Sequence, residues 1–219
     1  FTALVAAVRS VSTLPVLAVF DTHHHRDHVG NNDRFVAANV MVIGTPQTAK
    51  RLDTATPPGT APTVEYTKDF ALILQGGRVE AHHYSPGHTD GDTVVHFPTL
   101  KVVATGDLVV RNTPILDYAG GASLFGWLHA LDALLLLDWD TAVPGHGDTP
   151  MTRPEVEQFR RRLATFRDRA LAAIRSGTPK EKLIAAIRVN DLGWTWTSTS
   201  WPAARLDGLW NELRTQGVK

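Results

Sequence analysis

The chain has no cysteine. Disulfides are therefore excluded, and so are thiolate ligands, so any metal site has to be built from nitrogen and oxygen donors. The lack of cysteine does not fix the compartment. An excess of charge of either sign is missing as well. Twenty-two Lys and Arg balance 22 Asp and Glu over 219 residues, which leaves no global field to draw the chain toward nucleic acid or an anionic membrane surface. The one local basic run, Arg160-Arg161-Arg162, falls in a helical stretch and reads as a solvated face. Long apolar runs are absent: the stretch ALLLLDW at 133–139 is far too short to span a bilayer. The sequence opens on Phe1 rather than Met. Removal of upstream residues, any signal peptide among them, is expected, which leaves bacterial cytoplasm, periplasm and secretion all open.

What is present is a chain able to bury a core, 43% hydrophobic, and one domain over 1–219 is expected, with a helical C-terminal part at 151–219. Residues 1–11 put Phe1, Leu4, Val5 and Val8 on one helical face. Strand candidates lie at 16–20, 40–43, 70–74, 78–84, 93–97 and 101–105, with QGGR at 75–78 as a hairpin turn and 54–63 as a loop. The second half turns helical, at 123–137, 154–175, from Thr178 onward, and at 202–215. Thr178, Pro179 and Glu181 predict a capping box opening the third of these. The alternation predicts an α/β fold with mixed sheets.

Four of the 10 histidines stand within FDTHHHRDHVGNN at 20–32. A strand ending there delivers side chains to the rim of a sheet, where concave sites form. On extended backbone His23 and His25 point the same way, and Asp27 and His28 come where the chain turns into a helix. Neutral imidazole and carboxylate suit zinc, iron and manganese. A surface histidine patch or a leftover tag is the plain alternative, although a tag does not carry Asp and Arg at intervals. Three further stretches weigh against it. SPGHTDGD places His88 in a turn between strands, KVVATGDLVV places Asp107 just after an apolar strand, and AVPGHGD places His146 between two glycines. Each lies where a strand gives way to a loop, and glycine permits close backbone approach to an ion.

The motif H-x-H-x-D-H at His23, His25, Asp27 and His28, joined in order by His88, Asp107 and His146, resembles the signature of the metallo-β-lactamase superfamily of metal-dependent hydrolases. The resemblance runs from about residue 16 to 150. It implies a four-layer αββα sandwich with two divalent metal ions, zinc first and iron or manganese as the other choices. By family pattern His23, His25 and His88 would hold the first ion, Asp27, His28 and His146 the second, and Asp107 would bridge them. His24 and Arg26 fall at variable positions and receive no ligand role. The family usually has two or more strands before the first helix, whereas this chain starts inside that helix, so the fold is expected to lack its first N-terminal strands. An edge exposed in that way invites pairing with a second copy, a homodimer.

Two ions roughly 3.5–4 Å apart lower the pKa of a shared water and polarise a carbonyl or phosphoryl oxygen. The implied reaction is attack of metal-bound hydroxide on an ester, thioester, lactone or β-lactam, with Asp27 orienting the hydroxide as the catalytic residue. The substrate is a small molecule, with no role for nucleic acid or membrane. Asp107 at the bridging position resembles glyoxalase II-like thioesterases, lactonases and phosphodiesterases, not the β-lactamase subclasses with Cys or Ser there. The segment GWTWTSTSWPAARLDGLW at 193–210 lacks the basic glutathione-binding pattern of glyoxalase II. A mononuclear iron persulfide dioxygenase and a phosphodiesterase are the competing readings within the superfamily.

Other residues have two readings each. Tyr118, Phe125 and Trp127, in DYAGGASLFGW, suit a substrate-contacting loop and a packed helix start about equally. His82 and His83 sit on a strand as structural groups, and His96 reads as a packed strand residue. His129 is expected to face the core or the cleft from its helix. Trp194, Trp196 and Trp201 are expected to pack a terminal helix against the body.

Overall fold

The computed structural model describes residues 1–196 and 200–216. Two sheets form its centre. The smaller is entirely parallel, with β1 (Ala18–Phe20), β2 (Met41–Gly44) and β3 (Val64–Glu65) in that order. The larger runs β4 (Asp69–Leu74), β5 (Gly77–His82), β6 (Val94–Phe97), β7 (Val102–Ala104), β8 (Thr141–Val143) and β9 (Met151–Thr152), antiparallel except where β7 meets β8. Between the sheets Ile43, Tyr66 and Ala81 are buried, with Phe20, Val64 and Phe70 packed around them. Helix α1 (Thr2–Val11) and helix α3 (Asn32–Ala37) lie on the small-sheet side, where Phe1 meets Phe35 edge-on at 5.3 Å. The other face of the large sheet is covered by α5 (Leu124–Leu134), α6 (Arg153–Arg175) and α8 (Ala203–Gln216), enclosing the main core. The order of layers is thus helix, sheet, sheet, helix, as expected. Among the described residues no strand precedes β1, which forms an edge of the small sheet. Among the same residues no helix is long and apolar enough to cross a membrane.

Apolar spacing explains the packing of α5. Leu124, Trp127, Leu128, Leu131 and Leu134 recur at the i, i+3, i+4, i+7 spacing of one face, and all are buried. Each such side chain contributes on the order of 2 kcal/mol of transfer free energy. His129 falls off that face and is exposed, contrary to both expectations for it. The aromatic residues near the C-terminus pack as expected, with Phe166 of α6 lying 4.9 Å from Trp196 and 6.2 Å from Trp201.

Helix starts obey local chemistry. Thr45 caps α4 (Pro46–Thr54), a helix the apolar pattern does not reveal, by accepting from the Thr48 N–H. Thr152 and Glu155 form a capping box on α6. The capping box expected at Thr178 does not form. Gly177 takes φ +78 to end α6 and the Thr178 N–H bonds back to the Ala173 carbonyl, so Thr178 belongs to the preceding helix's terminus. The chain continues through a 3-10 turn at Lys180–Lys182 into the single turn α7 (Leu183–Ala186).

Candidate metal centre

All seven expected ligands converge at one end of the paired sheets. β1 stops at Phe20, and the chain passes through the buried Asp21 and His23 before turning into α2 (Arg26–Val29). His25 is the N-cap of that short helix, with extended backbone, and Asp27 and His28 follow on the helix itself. Asp21 anchors the strand end by accepting from the Asn32 side chain at 2.8 Å. His88 comes from the loop between β5 and β6, Asp107 from a 3-10 turn (Gly106–Leu108) after β7, and His146 from the loop after β8.

The atoms form two groups that meet at Asp107. His25 Nδ1 lies 3.0 Å from His23 Nε2 and 3.0 Å from His88 Nε2. In the second group Asp27 Oδ2 lies 3.3 Å from His28 Nε2 and 3.1 Å from His146 Nε2. Asp107 touches both groups: Oδ2 is 3.4 Å from His88 Nε2 and 3.4 Å from His146 Nε2, and Oδ1 is 3.3 Å from His28 Nε2. His23, His25, His88 and Asp107 make one candidate ligand set, and Asp27, His28 and His146 a second.

Proton placement tests whether the set suits a cation. His88 Nδ1 lies 2.7 Å from the Ile115 carbonyl, which can only accept, so Nδ1 carries the hydrogen and Nε2 the lone pair. His25 Nε2 likewise donates to Asp117 Oδ2 at 2.9 Å, leaving the lone pair on Nδ1. Two lone pairs therefore face each other at 3.0 Å, which is repulsive unless a positive charge lies between them. Ligand atoms on a tetrahedral ion with bonds of about 2.0–2.1 Å are roughly 3.3 Å apart, close to the separations here. His28 Nε2 and Asp107 Oδ1 are buried without an aligned hydrogen bond, again as expected of atoms aimed at an ion. The residues present fit a pair of divalent cations.

The electrostatics favour the ligating protonation states at His23, His88 and Asp107. At His28, burial is outweighed by the carboxylates of Asp107 and Asp27, which raise the ring above its ordinary value in the absence of an ion. Burial, reinforced by the neighbouring imidazoles of His88, His28, His25 and His24, pushes His23 far below the usual histidine range. Burial also lowers His88, to about 4. Both rings are neutral at pH 7. Burial works against the charge on Asp107, but His28, His88 and His146 outweigh it and hold the carboxyl below its ordinary value.

Glycines let the loops close over this carboxylate. A Cβ on Gly145 would lie 2.0 Å from Asp107 Oδ1, and one on Gly106, at φ +49, would meet Thr22 at 2.6 Å. Next to the ligands lies a cavity of about 170 Å3 lined by His88, Asp107, His146, Val110, Asn112 and Ile115, among others.

Sequence reasoning missed the residues that position the ligands. Asp117 fixes His25, and burial is overcome there by the His25 hydrogen bond, which brings the carboxyl down to about 2. Asp92, buried, accepts from the Thr89 backbone N–H at 3.1 Å and hydroxyl at 2.6 Å and so shapes the loop that carries His88. Arg51 holds Asp90 and the Ala119 carbonyl, and Glu212 of α8 accepts from the Tyr118 hydroxyl, the Ser123 hydroxyl and the Leu124 N–H. The only local signal was the clustering of Asp, Gly and Tyr at 117–121.

Of the three residues with two readings, Trp127 needs correction as a substrate contact. Trp127 is fully buried, donates to the Leu108 carbonyl at 2.9 Å and sets its ring 5.9 Å from that of His88, so it supports a ligand from behind. The Tyr118 hydroxyl is engaged by Glu212, and Phe125 packs partly buried on the main core. His83 bonds the Asp92 carbonyl, and His96 is a buried strand residue, as expected.

A layered αββα sandwich with this histidine and aspartate set at its sheet edge defines a class of protein, and comparison with known families agrees. Residues 3–146 match the family described as the metallo-beta-lactamase superfamily, and the chain belongs to it. Among curated proteins it is similar to hydroxyacylglutathione hydrolase of Brucella ovis and of Brucella abortus, each 36% identical over 127 residues, covering 57% of this chain and 45% of the relative. The chain thus spans less than half the length of these relatives. Among solved structures, the metallo-beta-lactamase from Pontibacter korlensis has a TM-score of 0.64 at 24% identity, covering 74% of this chain and 76% of that one. Metallo-beta-lactamase IND-7 gives 0.64 at 25% identity over 75% of each chain.

Proposed function

We propose that this chain carries the catalytic unit of a binuclear metal-dependent hydrolase acting on an acyl bond, with a small acyl thioester as the favoured substrate and esters, lactones and β-lactams as chemically related ones. The observation that carries this reading is the carboxylate of Asp107, whose two oxygens face the two ligand groups, Oδ2 toward His88 and His146 and Oδ1 toward His28. His23, His25 and His88 would hold one ion and Asp27, His28 and His146 the other, with zinc as the first choice for this nitrogen-rich set. When bound, such ions supply Lewis acidity and bring a water's pKa toward neutrality.

The protein's own contribution is positioning. Asp27, more than half exposed and wedged between His28 and His146, sits at the mouth of the site, where its carboxylate can take up a proton from water. Asn112, Thr113 and Ile115 line the adjoining cavity, so they are the residues an acyl group would meet. The thioester preference rests on the similarity to the hydroxyacylglutathione hydrolases, together with Asp rather than Cys or Ser at 107. Residues 197–199, within the segment whose composition argued against glutathione, lie outside the described residues.

The test is a hydrolysis panel on zinc-loaded protein, comprising acyl thioesters, lactones, β-lactams and phosphodiesters, with Asp107→Ala as control. Thioester turnover that chelation and Asp107→Ala both abolish is the expected result. Oxygen consumption with a persulfide on the iron-loaded protein, without hydrolysis of any panel member, would replace this reading with the dioxygenase one.

A further inference from the structure

A second group of metal-type side chains lies away from the candidate centre, on the helix-facing side of the large sheet near its β4 edge. Strand register puts it there. Glu80 and His82 alternate along β5 and share a face, Glu80 pairs with His96 on β6, and His82 pairs with Asp69 on β4. Ala81, between them, points the other way into the inter-sheet core.

The hydrogen bonds around the two rings fix where their protons are. Asp69 Oδ1 lies 2.8 Å from His82 Nδ1, and the Asp138 carbonyl lies 3.1 Å from His96 Nε2. Both oxygens only accept, so those nitrogens donate. The remaining nitrogens both lie beside one oxygen, Glu80 Oε2: His96 Nδ1 within hydrogen-bond distance at 3.2 Å and His82 Nε2 unaligned at 3.5 Å. His82 Nε2 is buried and has no hydrogen-bond partner. The side chains of Glu80, His82 and His96 are only 20%, 15% and 6% exposed. Tyr84 stacks on the His82 ring, centroids 5.5 Å apart and planes within 9°, which restrains its rotation.

We propose that Glu80, His82 and His96 form a separate mononuclear site for a zinc-class divalent cation, bound through Glu80 Oε2, His82 Nε2 and His96 Nδ1. Separations of 3.2 Å and 3.5 Å are close to the roughly 3.3–3.6 Å between ligands on a tetrahedral ion with bonds of about 2.0–2.2 Å. Each ring already has the outer partner that ligating histidines use to fix tautomer and orientation, Asp69 for His82 and the Asp138 carbonyl for His96. A single cation would satisfy both inward nitrogens and the shared carboxylate at once. A proton on His82 Nε2 would gain no aligned hydrogen bond. Arg78, 55% exposed, donates to Glu80 Oε1 at 2.6 Å. It competes for the carboxylate's charge through Oε1 and does not engage Oε2, whose neighbours are the two rings. Water would complete the coordination, and the ion would tie β5 to β6 and, through Asp69, to β4.

The test is a zinc titration of the full, metal-stripped chain monitored by histidine-ring nitrogen NMR, with zinc stoichiometry by elemental mass spectrometry on wild type, Glu80→Gln and His82→Gln. On adding zinc, His82 Nε2 and His96 Nδ1 are expected to shift to metal-bound values while His82 Nδ1 and His96 Nε2 stay protonated. Each variant is expected to bind one zinc fewer per chain, with the resonances of His23, His25 and His88 responding to zinc as in wild type. Equal stoichiometry in folded variants and wild type overturns the proposal. If a variant does not fold, the wild-type spectra decide: His82 and His96 signals that do not move at about 1 mM zinc, a concentration chosen as roughly saturating for a three-ligand site, equally overturn it. Because the two sites report on different histidines, failure here is separable from failure of the binuclear centre.

Discussion

Replacing Asp117 tests whether a residue that touches no substrate sets the strength of the metal centre. Asp117 Oδ2 accepts from His25 Nε2 at 2.9 Å, and its side chain is 21% exposed. Burial opposes its charge, yet the His25 hydrogen bond, the Gly120 N–H and the nearby imidazoles bring its pKa from 3.8 to about 2. At about 1.4 kcal/mol per pH unit, that difference is on the order of 2 kcal/mol of stability in the metal-free protein. The folded value is depressed, so the contribution is complete above pH 4 and is lost as pH falls from about 4 toward 2. In the loaded protein, removing the acceptor frees the His25 ring to turn and to place its hydrogen on the ligating Nδ1, which costs about 10–100-fold in metal affinity. Competition with a chromophoric chelator at pH 7 measures this directly. Asp117→Ala is expected to weaken zinc binding by about 30-fold, within that range, and Asp117→Asn by less, because the amide oxygen still accepts. Zinc affinity in Asp117→Ala within twofold of wild type, alongside a large loss in His25→Ala, would refute the positioning role.

Gly145→Ala puts a Cβ 2.0 Å from Asp107 Oδ1 and within 2.8 Å of the Gly106–Asp107 backbone, so both the carboxylate and the loop that carries it are expected to be displaced; zinc bound at the Asp27–His28–His146 group falls, and any hydrolysis in the substrate panel drops at least about tenfold. Glu212→Ala leaves the Tyr118 and Ser123 hydroxyls and the first N–H groups of α5 without their shared acceptor; urea unfolding is expected to show a loss of about 3 kcal/mol. Trp127→Phe removes the donor to the buried Leu108 carbonyl, and a destabilisation of about 1–3 kcal/mol is expected, with zinc stoichiometry unchanged because Trp127 contributes no ligand.

The ligands were legible because four of them lie within six consecutive residues and the others sit beside glycines at strand ends, where spacing alone signals a site. Their supports were not. Asp117 reaches His25 across 92 positions, and Glu212 reaches the start of α5 from the last helix; no periodicity connects such pairs, and only the packing of loop and helix brings them together. Trp127 looked equally suited to cleft and core because aromatic residues serve in both, and the apolar face of α5 decided for the core. The capping motif at Thr178 was locally sound but lost to the end of α6, whose terminal carbonyls claimed its backbone. Strands β3 and β9, two residues each, are too short to show alternation, and they exist because longer neighbours offer them partners. In the sequence His82 and His96 carry no signal beyond that of structural strand residues; only the register that sets Glu80 between them reveals a candidate site.

The most direct test of the central claim is a crystal structure of the zinc-loaded chain with anomalous data at the zinc edge. The account predicts two peaks roughly 3.5–4 Å apart, one within bonding distance of His23, His25 and His88, the other of Asp27, His28 and His146, with the Asp107 carboxylate between them. A single peak on the three-histidine group, with Asp107 turned away, would contradict it.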